Sequence, residues 1–138
     1  MSEGRVLVVD DEADVRKSVR LILSKAGYDV VEAEDGEAGV RAIKHGGNLI
    51  ALGAIICDLN MPNISGMEAI TYFRSHFPHA SVIVLSGEVT SERAGVLLVQ
   101  GVSSILSKPI NQDQLLAAVK KAFAAGSGRT IRRHDGNS

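Results

Sequence analysis

The stretch Val6-Leu7-Val8-Val9-Asp10-Asp11-Glu12 decides how the chain is read. Four apolar residues in succession run straight into three acids. A run that is apolar at every position is the pattern of a strand covered on both faces, as in a parallel sheet with helices on each side. The acids then stand at the carboxyl end of that strand. Two carboxylates about 4 Å apart repel by roughly 4 kcal/mol at an effective dielectric near 20. A cluster of them calls for a counter-charge.

Working outward, short β-branched runs alternate with longer helical patterns. Residues 13–26 predict a helix, with Val15, Val19, Ile22, Leu23 and Ala26 on one face, and Gly27 is its stop. Residues 29–33 predict a second strand, and residues 37–45 a helix ending at Gly46-Gly47. Ala54 to Cys57 is a third strand that stops at Asp58. Ser65 and Glu68 have capping-box spacing and open a helix that must end before Pro78. Residues 81–85 are a fourth strand, 91–100 a helix, and 102–106 a weaker fifth strand. Asn111 can cap a last helix in which Leu115, Val119 and Ala122 recur at helical spacing. From Gly126 the chain is rich in Gly, Ser and charge, which predicts one domain over 1–125 and a flexible tail over 126–138. Five strand–helix alternations predict an α/β fold, a doubly wound parallel sheet with helices on both faces. Ligands of such sheets bind beyond the carboxyl ends of the strands, where strand order reverses.

The bulk properties narrow the function classes. The chain has 138 residues, 45% apolar content and a net charge of −1, so no global charge points to nucleic acid or an anionic membrane. A single cysteine forms no internal disulfide. No signal-peptide pattern is evident, and the longest apolar stretch, 49–57, is about half a membrane span. The expectation is a cytoplasmic protein that contacts neither membrane nor nucleic acid directly.

The chemistry gathers at the strand ends. Asp10, Asp11 and Glu12 follow the first strand, Asp58 the third, Ser86 the fourth and Lys108 the fifth. Parallel strands bring all of these to one edge. Glu34 and Asp35, after the second strand, are expected across the switch point.

Here the sequence resembles the receiver domains of two-component response regulators. The resemblance rests on Asp10-Asp11, on Asp58-Leu59-Asn60-Met61-Pro62, on Ser65-Gly66, on Leu85-Ser86-Gly87 and on Lys108-Pro109, and covers about residues 4 to 124. It implies a flavodoxin-like sheet of order 2-1-3-4-5, an order known from a chemotaxis member of that family. It implies that Asp58 is the phosphoacceptor, taking a phosphoryl group from a histidine kinase or histidine phosphotransfer protein. Asp10, Asp11, Asp58 and the backbone carbonyl of Asn60 would hold Mg²⁺, which would offset the carboxylate repulsion. Lys108 would pair with one phosphoryl oxygen and Ser86 donate to another. The Lys108–Pro109 bond is expected to be cis by resemblance. The family's switch residue, usually aromatic, falls at Ile105, a stiff β-branched side chain without a hydroxyl. Coupling is therefore expected to run mainly through the loop after Ser86. Val96, Leu97, Leu98 and Val99 are too many apolar neighbours for one helix face, so some are expected to form an output surface. That surface, with the fifth strand and last helix, would take a downstream protein or a second copy in a homodimer. The chain would catalyse only its own phosphorylation and dephosphorylation.

Blander readings apply to each residue alone: acids at a helix start, a turn aspartate, a surface lysine. A scaffold that is never phosphorylated and a phosphatase or phosphotransferase using Asp58 covalently are the competing functions. The second usually needs a further acid near the nucleophile and a cap, but Asn60 stands two residues on and no cap insertion is visible. Cys57 reads as a small buried hydrophobe, His76 and His79 as loop histidines, and Arg129, Arg132 and Arg133 as a solvated tail.

Overall fold

The computed structural model describes residues 3–45, 52–59 and 66–136, with backbone alone at 66–67 and 125–136. Strands and helices alternate along the chain: β1 (Arg5–Val9), α1 (Ala13–Lys25), β2 (Asp29–Ala33), α2 (Gly36–His45), β3 (Leu52–Asp58), α3 (Gly66–His76), β4 (Ser81–Ser86), α4 (Ser91–Val99), β5 (Ser104–Ser107) and α5 (Gln112–Gly136). The strands form one five-stranded sheet in the order β2-β1-β3-β4-β5. All four pairings are parallel. This is the doubly wound order expected, with the reversal between β1 and β3.

The local chemistry explains the boundaries. Gly27 takes φ +99° after α1, a conformation costly for any side chain, and lets Tyr28 N–H reach back to the Leu23 carbonyl at 3.0 Å. Thr90 Oγ1 accepts from Arg93 N–H at 3.1 Å, and Asn111 Oδ1 from Gln114 N–H at 2.9 Å, capping α4 and α5. Asp35 Oδ1 accepts from Ala38 N–H at 2.8 Å and does the same for α2. Ser65 and the capping box expected there lie outside the described residues.

Two apolar layers sandwich the sheet. Leu7, Val9, Ile55, Cys57, Val82 and Val84 point to the layer that holds Phe73 of α3 and Leu97 of α4. Val6, Val8, Ala54, Ile56, Ile83 and Leu85 point to the other, against Val19 and Leu23 of α1 and Leu115 and Val119 of α5. Alternate residues of each strand thus serve opposite layers, which is why β1, β3 and β4 are apolar runs rather than alternations.

Two sequence expectations differ in detail. His76 closes α3, its ring 4.6 Å from that of Tyr72, instead of lying in a loop. Leu97 is fully buried in the core, so it belongs to packing and not to the output surface. A nine-residue helix presents one face to the sheet, and Leu97 is the α4 residue on it. The backbone of α5 is helical through Gly126 to Gly136. The docked turns from Gln112 to Phe123 supply the costly nucleus, after which each added residue contributes one hydrogen bond.

Burial sets the expected mutational contrast. Phe73→Ala should cost about 3–5 kcal/mol in urea unfolding followed by circular dichroism. Val99→Ala, at a position 89% exposed, should stay within about 0.5 kcal/mol.

Candidate functional site

Sheet register assembles the site. Val9 lies opposite Cys57, Asp58 opposite Leu85, and Ser86 opposite Ser107. The residues just past these pairs are therefore neighbours. Lys108 N–H donates to the Ser86 carbonyl at 2.8 Å and continues the β4–β5 ladder into the loop. Asp10 N–H donates to the Ala33 carbonyl at 3.2 Å and continues the β1–β2 ladder. The Lys108–Pro109 bond is cis, as expected.

Lys108 Nζ is the hub. It lies 3.1 Å from Asp58 Oδ2, 2.9 Å from Glu12 Oε1 and 3.3 Å from Asp10 Oδ2. Asp10 and Asp58 are almost wholly buried, while Glu12 is exposed. Burial raises the Asp10 pKa above the ordinary carboxylate value and the Asp58 charge raises it further; the Glu12 N–H and Lys108 only partly counter this. Burial by itself would lower the Lys108 pKa, but hydrogen bonds to Glu12 and Asp58, with the Asp10 and Asp58 charges, outweigh it. The ammonium is held in its charged form above the usual lysine range. Cys57 is buried beside the same acids and its thiol is pushed up to about 12, so it is inert.

The donor set fits a hard dication. One carboxylate oxygen each from Asp10, Asp11, Glu12 and Asp58 lies within 4.8 Å of the others. Asp10 Oδ2 is buried and accepts no hydrogen bond, with Lys108 Nζ close enough to attract it but outside hydrogen-bonding geometry. An oxygen-only cluster with one unsatisfied buried carboxylate oxygen suits Mg²⁺. The Asn60 carbonyl, expected as a further ligand, lies outside the described residues.

Other expected residues are placed as follows. Ser86 is buried at the end of β4, and its hydroxyl donates to the Glu88 carbonyl at 3.1 Å, along its own loop. Glu34 and Asp35 stand apart from the acid cluster, Asp35 serving as the α2 cap. Ile105 is partly buried against the Phe73–Leu97 layer. Val96, Leu98 and Val99 are 45%, 55% and 89% exposed. Leu98 borders a groove of about 510 Å³ with Ile105, Leu106 and Ala117. Sequence reasoning missed Arg16, which donates to the Asp10 carbonyl, and Glu32, which pairs with it. Neither carries a motif, and their meeting depends on strand register.

Comparison with known proteins places this geometry. Residues 6–120 match the family model for the response regulator receiver domain. The chain belongs to the response regulator receiver family. It is 32% identical over 130 residues to the transcriptional regulatory protein GlrR of Escherichia coli K12, an alignment covering 94% of this chain and 28% of GlrR. The chain thus spans little more than a quarter of that relative's length. Among solved structures, a receiver domain protein from Clostridium thermocellum superposes with a TM-score of 0.79 at 27% identity, covering 90% of this chain and 97% of that one. The beryllofluoride-activated NtrC4 receiver domain dimer gives a TM-score of 0.78 at 30% identity, covering 88% and 98%. Among the described residues no helix is long and apolar enough to cross a membrane.

The raised Asp10 pKa has a pH consequence for the metal-free protein. A carboxyl whose folded pKa exceeds its unfolded value contributes stability below the unfolded pKa and loses it as pH rises through the folded one. At neutral pH ionised Asp10 therefore opposes folding. Asp10→Asn should raise stability in EDTA at pH 7 by about 0.5–2 kcal/mol. The gain should shrink toward pH 4, as urea unfolding at both pH values will read.

Proposed function

We propose that this receiver domain accepts a phosphoryl group on Asp58 from a histidine kinase or histidine phosphotransfer protein, and that the modification alters its binding to a downstream protein. The observation that carries this reading is the convergence of Asp10, Asp58 and Glu12 on the ammonium of Lys108 at one sheet edge. Asp58 Oδ attacks phosphorus as the phosphorus–nitrogen bond to the donor imidazole breaks. The product is an acyl phosphate, and the donor nitrogen recovers its electron pair. Lys108 then moves from Asp58 to a phosphoryl oxygen, with Glu12 as its remaining anchor. Ser86 exchanges the Glu88 carbonyl for another phosphoryl oxygen. Mg²⁺, held by Asp10, Asp11, Asp58 and the Asn60 carbonyl, would neutralise charge on the transferring group. The chain is an enzyme only toward itself, in forming and hydrolysing its own acyl phosphate. Its setting would be the cytoplasm, where such kinases present their phosphohistidine.

The output surface of this reading is the exposed face of α4 with β5 and α5. Val96, Leu98 and Val99 are exposed on α4, and Leu98 borders a groove that reaches Ile105, the position where the switch aromatic is replaced. A downstream protein or a second copy would cover it, and the NtrC4 receiver, of the same fold, is a dimer when activated.

Incubation of the 138-residue chain with acetyl phosphate and MgCl₂ should add about 80 Da, one phosphoryl group. Asp58→Asn and EDTA should each abolish the addition, and Lys108→Met should slow it by roughly 10²-fold, the scale for one preorganised charge-stabilising donor. No addition to the wild type would support a scaffold that is never phosphorylated. Repeated turnover of phosphate esters would support a phosphatase. The double variant Leu98→Ser/Val99→Ser should leave the addition rate unchanged and abolish phosphorylation-dependent self-association in sedimentation velocity.

A further inference from the structure

Asp10 is held at three points. Its N–H donates to the Ala33 carbonyl at 3.2 Å, its Oδ1 accepts from Glu12 N–H at 2.9 Å, and its carbonyl accepts from Arg16 Nη1 at 2.5 Å. What remains is Oδ2, one of two buried side-chain polar atoms without a hydrogen bond among the described residues. Arg16 is itself anchored. Its Nε lies 3.6 Å from Glu32 Oε1, and the other oxygen of Glu32 is held by Arg20 Nε at 2.7 Å. Glu32 stands on β2 opposite Val8. Arg16 stands in the first turn of α1, its N–H bonded to the Glu12 carbonyl at 3.2 Å. One guanidinium, 17% exposed, thus ties the end of β1 to α1 and β2.

We propose that Arg16, anchored by Glu32, is a positioning residue that fixes Asp10 for Mg²⁺; this rests on reading the acid cluster as a magnesium site. The Arg16 hydrogen bond sets the plane of the Asp10–Asp11 peptide. That plane sets where Glu12 N–H meets Oδ1, and hence where Oδ2 points. Without it the peptide can turn and the carboxylate must be ordered at the moment the ion binds. Partners behind a metal ligand characteristically change affinity by about 10–100-fold.

Charge and position make opposite forecasts here. Arg16 is a cation behind a site for another cation, so if charge alone mattered its removal would tighten Mg²⁺ binding. Positioning requires the reverse. Arg16→Met keeps the aliphatic stem and removes the fork. Arg16→Lys keeps the charge and loses the fork whose separate nitrogens reach Asp10 and Glu32. Glu32→Gln leaves Arg16 in place and removes its anchor charge.

The test is titration of the ¹⁵N-labelled 138-residue chain with MgCl₂ alone at fixed ionic strength, read from the amide shifts of Asp11 and Glu12. Urea midpoints are taken in parallel to separate affinity from stability. The expected result is binding weakened about tenfold in both Arg16 variants and to a lesser degree in Glu32→Gln. Amide shifts remote from the site should match the wild type. Should Arg16→Met not fold, Arg16→Lys and Glu32→Gln decide. Equal or tighter binding in the folded variants overturns the positioning role while leaving the magnesium reading intact. A wild type whose Asp11 and Glu12 amides do not move in millimolar MgCl₂ overturns both.

Discussion

Repulsion among carboxylates gathered at one sheet edge is the constraint on which the structure turns. Asp10 and Asp58 are buried within reach of each other, and Lys108 Nζ stands 3.3 Å from the first and 3.1 Å from the second. A single ammonium serves three acids here and leaves one buried carboxylate oxygen without a hydrogen bond. Burial first, and then the Asp58 charge, raises the Asp10 pKa. A bound cation relieves such a site. On the proposed reading, the fold holds the acids together for a dication and a phosphoryl group supplied from outside.

The rest of the chain keeps that edge in place. Apolar β1, β3 and β4 are buried on both faces, so their register cannot slip without exposing a full set of core side chains. Register in turn fixes Asp10, Asp58, Ser86 and Lys108 as neighbours although they span about a hundred positions. The hydrogen bond from Lys108 N–H to the Ser86 carbonyl extends this rigidity past the last strand pair. The backbone of the site is thereby tied to the sheet at Asp10 and at Lys108.

Much of this was legible in the sequence, for identifiable reasons. Doubly covered strands write uninterrupted apolar runs, and an acid, serine or lysine at the end of each run marks the ligand edge. Gly27 and Asn111 announce a helix stop and start through backbone chemistry that few residues can supply. What was not legible depends on side-chain direction or on register. Leu97 and Leu98 are identical letters, yet one is in the core and the other half exposed, because a 3.6-residue period separates neighbours by about 100°. Ser86 could be placed at the edge, but not its donation to the Glu88 carbonyl. Arg16 and Glu32 meet only because β2 lies beside β1 with Glu32 opposite Val8.

Ile105, where the resemblance places the family's switch residue, stands between the core and the α4 face. It packs against the layer that holds Leu97 and also lines the groove beside Leu98. On the proposed reading, a change at Ser86 would reach that face through the β4–α4 loop. All of this presupposes that the clustered acids await a cation. Unfolding free energy measured against MgCl₂ concentration, with NaCl matching ionic strength, reads that directly. Stability should climb as RT ln(1 + [Mg²⁺]/Kd) for one site, and Asp58→Asn should flatten the climb. A wild-type midpoint that MgCl₂ moves no further than matched NaCl would contradict it.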